Sequence, residues 1–424
     1  GYLGIQKSFD ELQILGIGIL EEYRNTGLAK KLTAELIKFF KNSYQNKVIL
    51  EVRESNIAAI NLYKSVGFSQ YGKRENYYKN EDAILFELEK AMSKELVILG
   101  FETSCDETAV AIMRGDDLVV NTISSQVDIH EKFGGVVPEV ASRAHAEMIR
   151  NIFHNSLNAA NLQISDIDVV ATTDGPGLVG SLVVGYNFAR SISWSIDKPL
   201  LTVDHMVAHL ASPLIENSEM TPPFLTLLVS GGHTQIVLVE EWGNYQLLGT
   251  TIDDAAGEAF DKLSRFCGFG FPGGPAIQRI GENGDPNKVD LPRPKTKHEF
   301  NYSFSGLKTA ATNFLNNLDI NDKVTKADFA ASYQEAIVDS LMRNFQKAVI
   351  ETGVPNISGG GGVMANSRLR EKMSILASEK DLNLFLPSPR LSTDNAAMIC
   401  VAAKNNLITN ELLIDDVRLS SIIK

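Results

Sequence analysis

Cysteine is scarce in this chain. Cys105, Cys267 and Cys400 lie far apart and form neither a paired zinc spacing nor a disulfide framework. No apolar run is long enough to span a bilayer, and no signal peptide opens the sequence. Positive charge is in deficit: 40 Lys and Arg stand against 52 Asp and Glu, a net charge of −12. That balance argues against a uniformly basic nucleic-acid binder, while leaving room for a local basic face or a partner that supplies one. An initiator Met is also missing. The chain begins at Gly1 in strand-like sequence, and we expect it to continue a longer protein. What remains is a cytoplasmic chain of 424 residues with an ordinary apolar content of 44%, long enough for two or three domains.

Against those absences, one stretch concentrates chemistry. An apolar strand, Leu200 to Asp204, runs into His205 and His209. Four residues on a helix bring two imidazoles onto one face, where they can share a transition metal. A zinc-peptidase motif would put Glu directly after the first His, as the base that activates water. That position is Met206, so peptide hydrolysis of this kind is excluded. A third ligand must come from elsewhere, and Asp394 is the candidate.

Residues 1–90 read as one domain. A buried strand over 11–20 leads to Arg24, Asn25, Thr26, Gly27, Leu28 and Ala29, then to an amphipathic helix over 30–41. Strand, Gly-bearing loop and helix N-terminus together make a phosphate cradle. A strand over 48–53, a helix over 57–65 capped by Ser55 or Asn56, and a strand over 82–89 follow. The pattern from Leu50 to Phe68 resembles the GNAT acetyltransferases, and within them the RimI ribosomal-protein alanine acetyltransferases. The resemblance implies an α/β fold. It implies acetyl-CoA held by Arg24 to Ala29, Glu51 as general base and Tyr63 as general acid. The family's first strands and helices have no counterpart before Gly1, so we expect a partial domain. Residues 91–95 read as a linker.

From Leu96 onward the pattern changes. A buried strand, the polar turn Glu102 to Thr108 and two further strands open the segment. Buried strands then alternate with glycine-rich loops: Gly134-Gly135, Asp174 to Gly177, Ser230 to Thr234, Gly273-Gly274 and Gly359 to Gly362. Glycines at strand ends let backbone approach a ligand and turn N–H groups toward an anion. The four-glycine run is expected to open a helix near Ala365–Ser367. Asp261 is expected on a helix facing Gly273 and Gly274, where a carboxylate suits a ribose diol.

Nine motifs stand in order: ETSCDET (102–108), GGVVPEVASR (134–143), DGPGLVGSL (174–182), HMVAH (205–209), LLVSGGHTQ (227–235), DDAAGEAFDK (253–262), PGGPAI (272–277), FSGLKTA (304–310) and TDNAAMI (393–399). With these motifs residues 96–424 resemble the TsaD family of tRNA threonylcarbamoyladenosine transferases, once classed as glycoproteases. The resemblance implies an actin/Hsp70/sugar-kinase-like fold with lobes at about 96–222 and 223–424, the C-terminal segment returning to the first. It implies transfer of a threonylcarbamoyl group from threonylcarbamoyl-AMP to N6 of adenosine 37 in tRNAs that read codons beginning with A, releasing AMP. His205, His209 and Asp394 would bind one Fe2+ or Zn2+. Leu228, Val229, Ser230, Gly231 and Gly232 would line the donor, with Asp261 and Gly274 on its ribose and Asn366 on its adenine. Asp106, Glu107 and His233 are candidates for the proton acceptor. A TsaB-like paralogue and a TsaE-like ATPase are the implied partners, and no membrane is involved. Lys132, Arg143, His145, Lys308, Arg368 and Arg370 are the basic residues expected to face tRNA. Ser392 departs from the family, which commonly has Cys there.

Three rival readings differ in class. One is a metallopeptidase, disfavoured by Met206. Another is a nucleotide-binding assembly protein whose lobes close on ATP without transfer. The last is N-terminal alanine acetylation by residues 1–90.

Overall fold

Three five-stranded sheets organise the described residues, which in this computed structural model are 1–7, 11–24, 26–41, 47–89, 95–317 and 324–409. The chain divides into two units, Gly1–Glu95 and Leu96–Lys424. The joint expected around Lys90 to Lys94 falls outside the described residues, as does Asn25.

In the first unit, β1 (Tyr2–Lys7), β2 (Glu11–Gly18), β3 (Lys47–Arg53), β4 (Ser69–Arg74) and β5 (Ala83–Glu89) form a sheet in the order β1-β2-β3-β5-β4. Only β2 and β3 pair in parallel, and the crossover between them is α1 (Leu28–Lys41). Leu36 and Phe40 stand one helical turn apart on α1 and pack on Leu12, Ile14, Val48 and Leu50. Next comes α2 (Ile57–Ser65), where the Asn56 side chain accepts a 3.1 Å hydrogen bond from the Ala59 N–H. Such a cap stabilises a helix by about 1 kcal/mol.

The second unit contains the same sheet twice. Its first lobe has β6 (Val97–Glu102), β7 (Glu107–Arg114), β8 (Asp117–Ser125), β9 (Val169–Gly175) and β10 (Leu200–Asp204); its second has β11 (Phe224–Val229), β12 (Thr234–Glu241), β13 (Asn244–Thr250), β14 (Asn356–Gly360) and β15 (Asn383–Phe385). In both, the opening strand lies at the centre. It pairs antiparallel with the second, which pairs antiparallel with the third, while the fourth and fifth add in parallel on the other side. The parallel strands of each lobe therefore end on one side, where α/β sheets present their loops to ligands.

Burial on both faces explains why these strands read as continuous apolar runs. One face of the first sheet is covered by α4 (Pro138–Ala159) and α5 (Val179–Ile196), which follow the short α3 (Val127–Glu131). The other is covered by the last helix, α13 (Ala396–Thr409), whose residues 396–403 are all buried. Small residues permit that close approach. A Cβ at Gly100 on β6 would lie 2.6 Å from Cys400 Sγ and 2.8 Å from the Ala396 carbonyl. In the second lobe the strand faces alternate. Leu225, Leu227 and Val229 point into a core shared with α7 (Ala256–Cys267), α8 (Gly273–Gly281), α9 (Ser305–Asn316), α10 (Lys326–Thr352) and α11 (Ser367–Lys380). Phe224 and Leu228 point the other way, onto Met206 and Leu210 of α6 (His205–Ala211). That helix thus joins the lobes, each buried Leu or Phe contributing ~1.5–3 kcal/mol. A short α12 (Pro389–Ser392) precedes α13.

The four-glycine run differs from expectation. Gly359 and Gly360 continue β14, and a short turn over Gly362–Ala365 intervenes before α11. Packing is the reason, since a Cβ on Gly360 would stand 2.7 Å from the His209 carbonyl oxygen.

Candidate functional site

The first lobe's contribution begins with a cap. Asp204 ends β10, and its Oδ1 accepts hydrogen bonds from the N–H groups of Met206 (2.8 Å) and Val207 (3.1 Å). This fixes His205 as the first residue of α6 and puts His209 one turn further on. Their rings lie 4.7 Å apart, centroid to centroid, at 77°. Asp394, between α12 and α13, brings Oδ1 to 3.1 Å from His209 Nε2 and 3.7 Å from His205 Nε2. The three ligand-type atoms fall within 4.8 Å of one another. His209 is fully buried; its Nδ1 has no hydrogen-bond partner, and its Nε2 meets only the Asp394 carboxylate. Two buried imidazoles converging on one carboxylate fit a metal, for which a lone pair is what is required.

Glu102 completes this half, and sequence reasoning missed its role. It closes β6 and is fully buried. Its Oε1 accepts from the Ser104 N–H at 2.6 Å, its Oε2 accepts from Thr173 Oγ1 at 2.7 Å, and Oε2 lies 3.2 Å from His205 Nδ1. With Nδ1–H donating to Glu102, the Nε2 lone pair of His205 is aimed at Asp394, an arrangement common behind metal-bound histidines. Ser104 Oγ is 3.3 Å from the same Nδ1. A serine nucleophile and its supporting acid would sit on opposite ring nitrogens, so Ser104, His205 and Glu102 do not form a hydrolytic triad. The readable signal was a lone carboxylate ending a wholly apolar strand, which must find partners.

The electrostatics favour a cation. Burial works against charge on His205, but Asp394 and Glu102 hold its imidazole up at about 9. Burial would likewise raise Asp394, yet the His205 and His209 rings pull it down to about 2. Glu107, at the hairpin tip between β6 and β7, is pushed well above the usual carboxylate range by burial, with Asp394 and Asp106 adding to it. In that state it is a proton donor. His233 is lowered, first by burial and then by His205 and His209, and keeps a neutral ring with a lone pair.

The second lobe brings backbone. After β11, Ser230 N–H donates to the His233 carbonyl at 2.8 Å, and His233 N–H to Ser230 Oγ at 3.1 Å, closing a tight turn. Gly231 and Gly232 at its tip border open space. Gly361 has φ +88°, and a Cβ there would stand 2.4 Å from the Val229 carbonyl. On α7, Asp261 Oδ1 accepts from the Gly273 N–H at 2.6 Å, and burial raises its carboxyl. Gly274 faces open space beside it.

Several expectations change at the level of side chains. Leu228 and Val229 are buried in two separate cores, so only their backbone is available to a ligand. Asn366 caps α11, its Oδ1 accepting from Leu369 N–H at 3.0 Å and its Nδ2 donating to Gln334 at 2.7 Å. His145 is fully buried and cannot face tRNA. Arg368 is paired with Glu335 and Glu371, Arg370 donates to the Met364 and Pro387 carbonyls, Lys308 lies 3.7 Å from Asp254, and Arg143 pairs with Glu139 on the surface.

In the first unit, Gly27 has φ +83° and precedes α1, with Thr26 Oγ1 donating to Tyr23 and Arg24 Nε to Ile19. Leu28 and Ala29 form the first residues of α1. Glu51 pairs with Arg74. Tyr63 is buried against Phe68 and Phe86, and burial raises its phenol.

Comparison with known proteins finds a match in each unit. A family model described as TsaD, tRNA N6-adenosine threonylcarbamoyltransferase, matches residues 117–401, and one for the acetyltransferase (GNAT) family matches residues 1–68. The tRNA N6-adenosine threonylcarbamoyltransferase of Thermosipho africanus is 46% identical over 308 residues, covering 72% of this chain and 93% of that protein. HypF of T. kodakarensis is similar in fold, with a TM-score of 0.53 at 13% identity over 74% of this chain and 48% of its own. The Escherichia coli ribosomal-protein-S18-alanine N-acetyltransferase is 36% identical over 22% of this chain and 61% of its own, with a TM-score of 0.20. Nine motifs, the matched family model and the 46% identity lead to one conclusion: the chain belongs to the tRNA N6-adenosine threonylcarbamoyltransferases, acyltransferases that make threonylcarbamoyladenosine in tRNA.

Proposed function

We propose that the cleft between the two lobes binds threonylcarbamoyl-AMP and transfers its threonylcarbamoyl group to N6 of adenosine 37 in tRNAs reading codons that begin with A, releasing AMP. The observation that carries this is the His205–His209–Asp394 cluster, held by one lobe and electrostatically coupled to His233 in the glycine turn of the other. Fe2+ or Zn2+ bound by these three residues would supply a Lewis acid for the phosphate and the carbamoyl carbonyl.

The remaining work falls to the protein's own groups. The donor carbonyl is part of a mixed anhydride with phosphate, so AMP leaves readily. The attacking amine is weak, because its lone pair is delocalised into the purine. The site therefore has to position the base and stabilise negative charge on the carbonyl oxygen more than generate a strong nucleophile. Backbone N–H groups of Gly231 and Gly232, with the Ser230 hydroxyl, suit the anionic part of the donor, Leu228 and Val229 contributing backbone only. Asp261, with one oxygen on Gly273 N–H, and Gly274 suit the ribose, and Asn366 the edge of the adenine. His233 and Asp106 are the proton acceptors, with Glu107 as donor to the departing group.

An exposed apolar row on α5 (Val179, Val183 and Trp194, the last under Arg190 at 4.5 Å) supports a helical protein partner, the TsaB-like paralogue, with a TsaE-like ATPase acting on the pair. An acidic chain gains tRNA affinity from such partners, and its own binding should be salt-sensitive. No helix among the described residues is long and apolar enough to cross a membrane. The tRNA acceptor points to the cytoplasm.

A second activity belongs to the first unit. The Gly27 loop and the start of α1 support binding of the acetyl-CoA pyrophosphate at Arg24 to Ala29, with Glu51 and Tyr63 as base and acid for an α-amine.

Single turnover tests the main reading. The full chain, its partners, threonylcarbamoyl-AMP and unmodified tRNA should give modified adenosine. His205→Ala/His209→Ala should give none. A double variant that stays active would remove the metal role, and no product from the wild-type chain would favour an assembly protein.

A further inference from the structure

Beneath the hairpin tip that carries Asp106 and Glu107 lies a polar network that the reaction scheme above does not use. Gln126, His130 and His145 are all fully buried. Their contacts have a consistent direction. Val137 N–H donates to His130 Nδ1 at 3.3 Å. His130 Nε2 lies 3.1 Å from Gln126 Oε1, and Gln126 Nε2 lies 3.3 Å from His145 Nδ1. His145 Nε2 is 3.0 Å from the Cys105 carbonyl oxygen, and Thr108 Oγ1 is 2.7 Å from its Nδ1.

A carbonyl can only accept, so His145 must carry its proton on Nε2. Its Nδ1 is then the acceptor for Thr108, and Gln126 Nε2, 3.3 Å from Nδ1 and 3.5 Å from Nε2, packs against the ring. Val137 N–H can only donate, so His130 must likewise be protonated on Nε2, which satisfies Gln126 Oε1. One tautomer of each ring meets the contacts to Cys105, Thr108, Val137 and Gln126 Oε1, and burial lowers His145 toward that neutral form. His145 thereby grips the tip on both sides of the acids, at the Cys105 carbonyl and the Thr108 hydroxyl. At its far end the chain reaches the 134–137 loop. There a Cβ on Gly135 would come within 2.9 Å of Arg265 Nη2, from α7 of the opposite lobe.

We propose that His145 is a positioning residue for the transfer: through its bonds to Cys105 and Thr108 it fixes the hairpin tip so that Asp106 and Glu107 face the His205–His209–Asp394 cluster. This rests on the reading of that cluster as the reaction centre. His145 touches neither ligand nor metal site, so its effect is on geometry alone. A misplacement of about 1 Å can cost about 100-fold in rate.

The test uses the full chain with partner proteins, threonylcarbamoyl-AMP and unmodified tRNA. His145→Leu, which removes both bonds, should lower kcat about 100-fold with KM for tRNA changed less than about twofold. Zn2+ affinity should be unchanged, and amide exchange over 104–108 should be faster. His145→Gln can restore a donor near the Cys105 carbonyl, and should recover at least about tenfold of the lost kcat and slow the exchange again. Wild-type kcat in His145→Leu would overturn the proposal. So would equal losses in the Leu and Gln variants that track melting temperature. If His145→Leu does not fold, Gln126→Leu replaces it and must show the same kcat-only loss; wild-type kcat there overturns the proposal. His205→Ala/His209→Ala runs alongside. Activity in that double variant refutes the reading of the centre, whereas an inactive double variant beside an unaffected His145→Leu refutes the positioning role alone.

Discussion

The two lobes of the second unit share one sheet topology and use it in opposite ways. In the first, strand ends carry charge: Glu102 ends β6, Asp204 ends β10 with His205 directly after it, and Asp106 precedes Glu107 at the start of β7. In the second, the equivalent ends carry almost no side chain: Ser230, Gly231 and Gly232 follow β11, and Gly360 ends β14 with Gly361 directly after it. One copy of the scaffold presents ligands for a cation, and the other presents backbone N–H groups and space. On the proposed reading, a nucleotide phosphate between them would meet a cation on one side and peptide dipoles on the other. The lesson is that sheet topology sets where the loops go, while residue size and charge at the strand ends decide what they do.

That division can be broken from either side. The largest effect is expected in the first lobe. Removing both imidazoles with His205→Ala/His209→Ala should abolish transfer, by at least about 1,000-fold, because a metal contributes several kcal/mol to such a transition state. The same variant should melt at a lower temperature, because Glu102 and Asp394 lose the imidazoles beside them, so transfer is compared below its melting temperature. Product formation and a thermal melt check the two halves of that statement.

In the second lobe the sign of the change reverses, since adding atoms should do the damage. Gly361→Ala puts a Cβ 2.4 Å from the Val229 carbonyl at a positive φ, and should destabilise by about 1–3 kcal/mol in a denaturant titration. Gly232→Ala meets nothing within 4 Å. It should leave stability within about 0.5 kcal/mol of wild type and weaken donor binding, as measured by KM for threonylcarbamoyl-AMP. Equal behaviour of the two variants would erase the distinction between packing glycines and ligand-facing glycines.

The smallest effect lies away from the cleft. Glu335 joins α10 to α11 through Arg368 (2.8 Å) and Lys372 (2.6 Å). Arg368 first, and then Lys372, pull its carboxyl down to about 2 against the cost of burial. A depressed folded pKa means that the stabilisation is complete above the ordinary value of 4.5 and is lost as pH falls through about 2. Glu335→Gln should therefore cost about 2 kcal/mol at pH 7, discounted because Arg368 and Lys372 reach solvent, and almost nothing near pH 2. Stability measured against pH for both proteins tests this, and transfer activity at pH 7 should be unchanged below the melting temperature.

The sequence made some of this legible because some physics is local. Apolar runs with glycine punctuation located β6, β9, β10 and β11, and the His205–His209 spacing put both rings on one helical face. The third ligand could be named only as a candidate, because nothing local ties Asp394 to residues nearly two hundred positions earlier. Glu102 was passed over for a related reason: a carboxylate in a polar motif reads as solvated until the strand that carries it is seen to be buried. The four glycines read as a helix-opening loop, whereas two of them continue β14, since Gly360 is packed on the His209 backbone and Gly359 on the Met364 and Leu386 side chains. His145 reads as tRNA-facing because it is a basic residue beside a motif, yet α4 turns that position into the core. In each case the missing information was a tertiary contact.

The most direct test of the account titrates AMP into the purified chain by calorimetry, with and without Zn2+, and repeats the titration with His205→Ala/His209→Ala. If the first lobe's cation and the second lobe's backbone hold one phosphate together, the metal should tighten AMP binding at least about tenfold in the wild-type chain, a difference of about 1.4 kcal/mol, and have no effect in the double variant. AMP affinity that is the same with and without metal would contradict it.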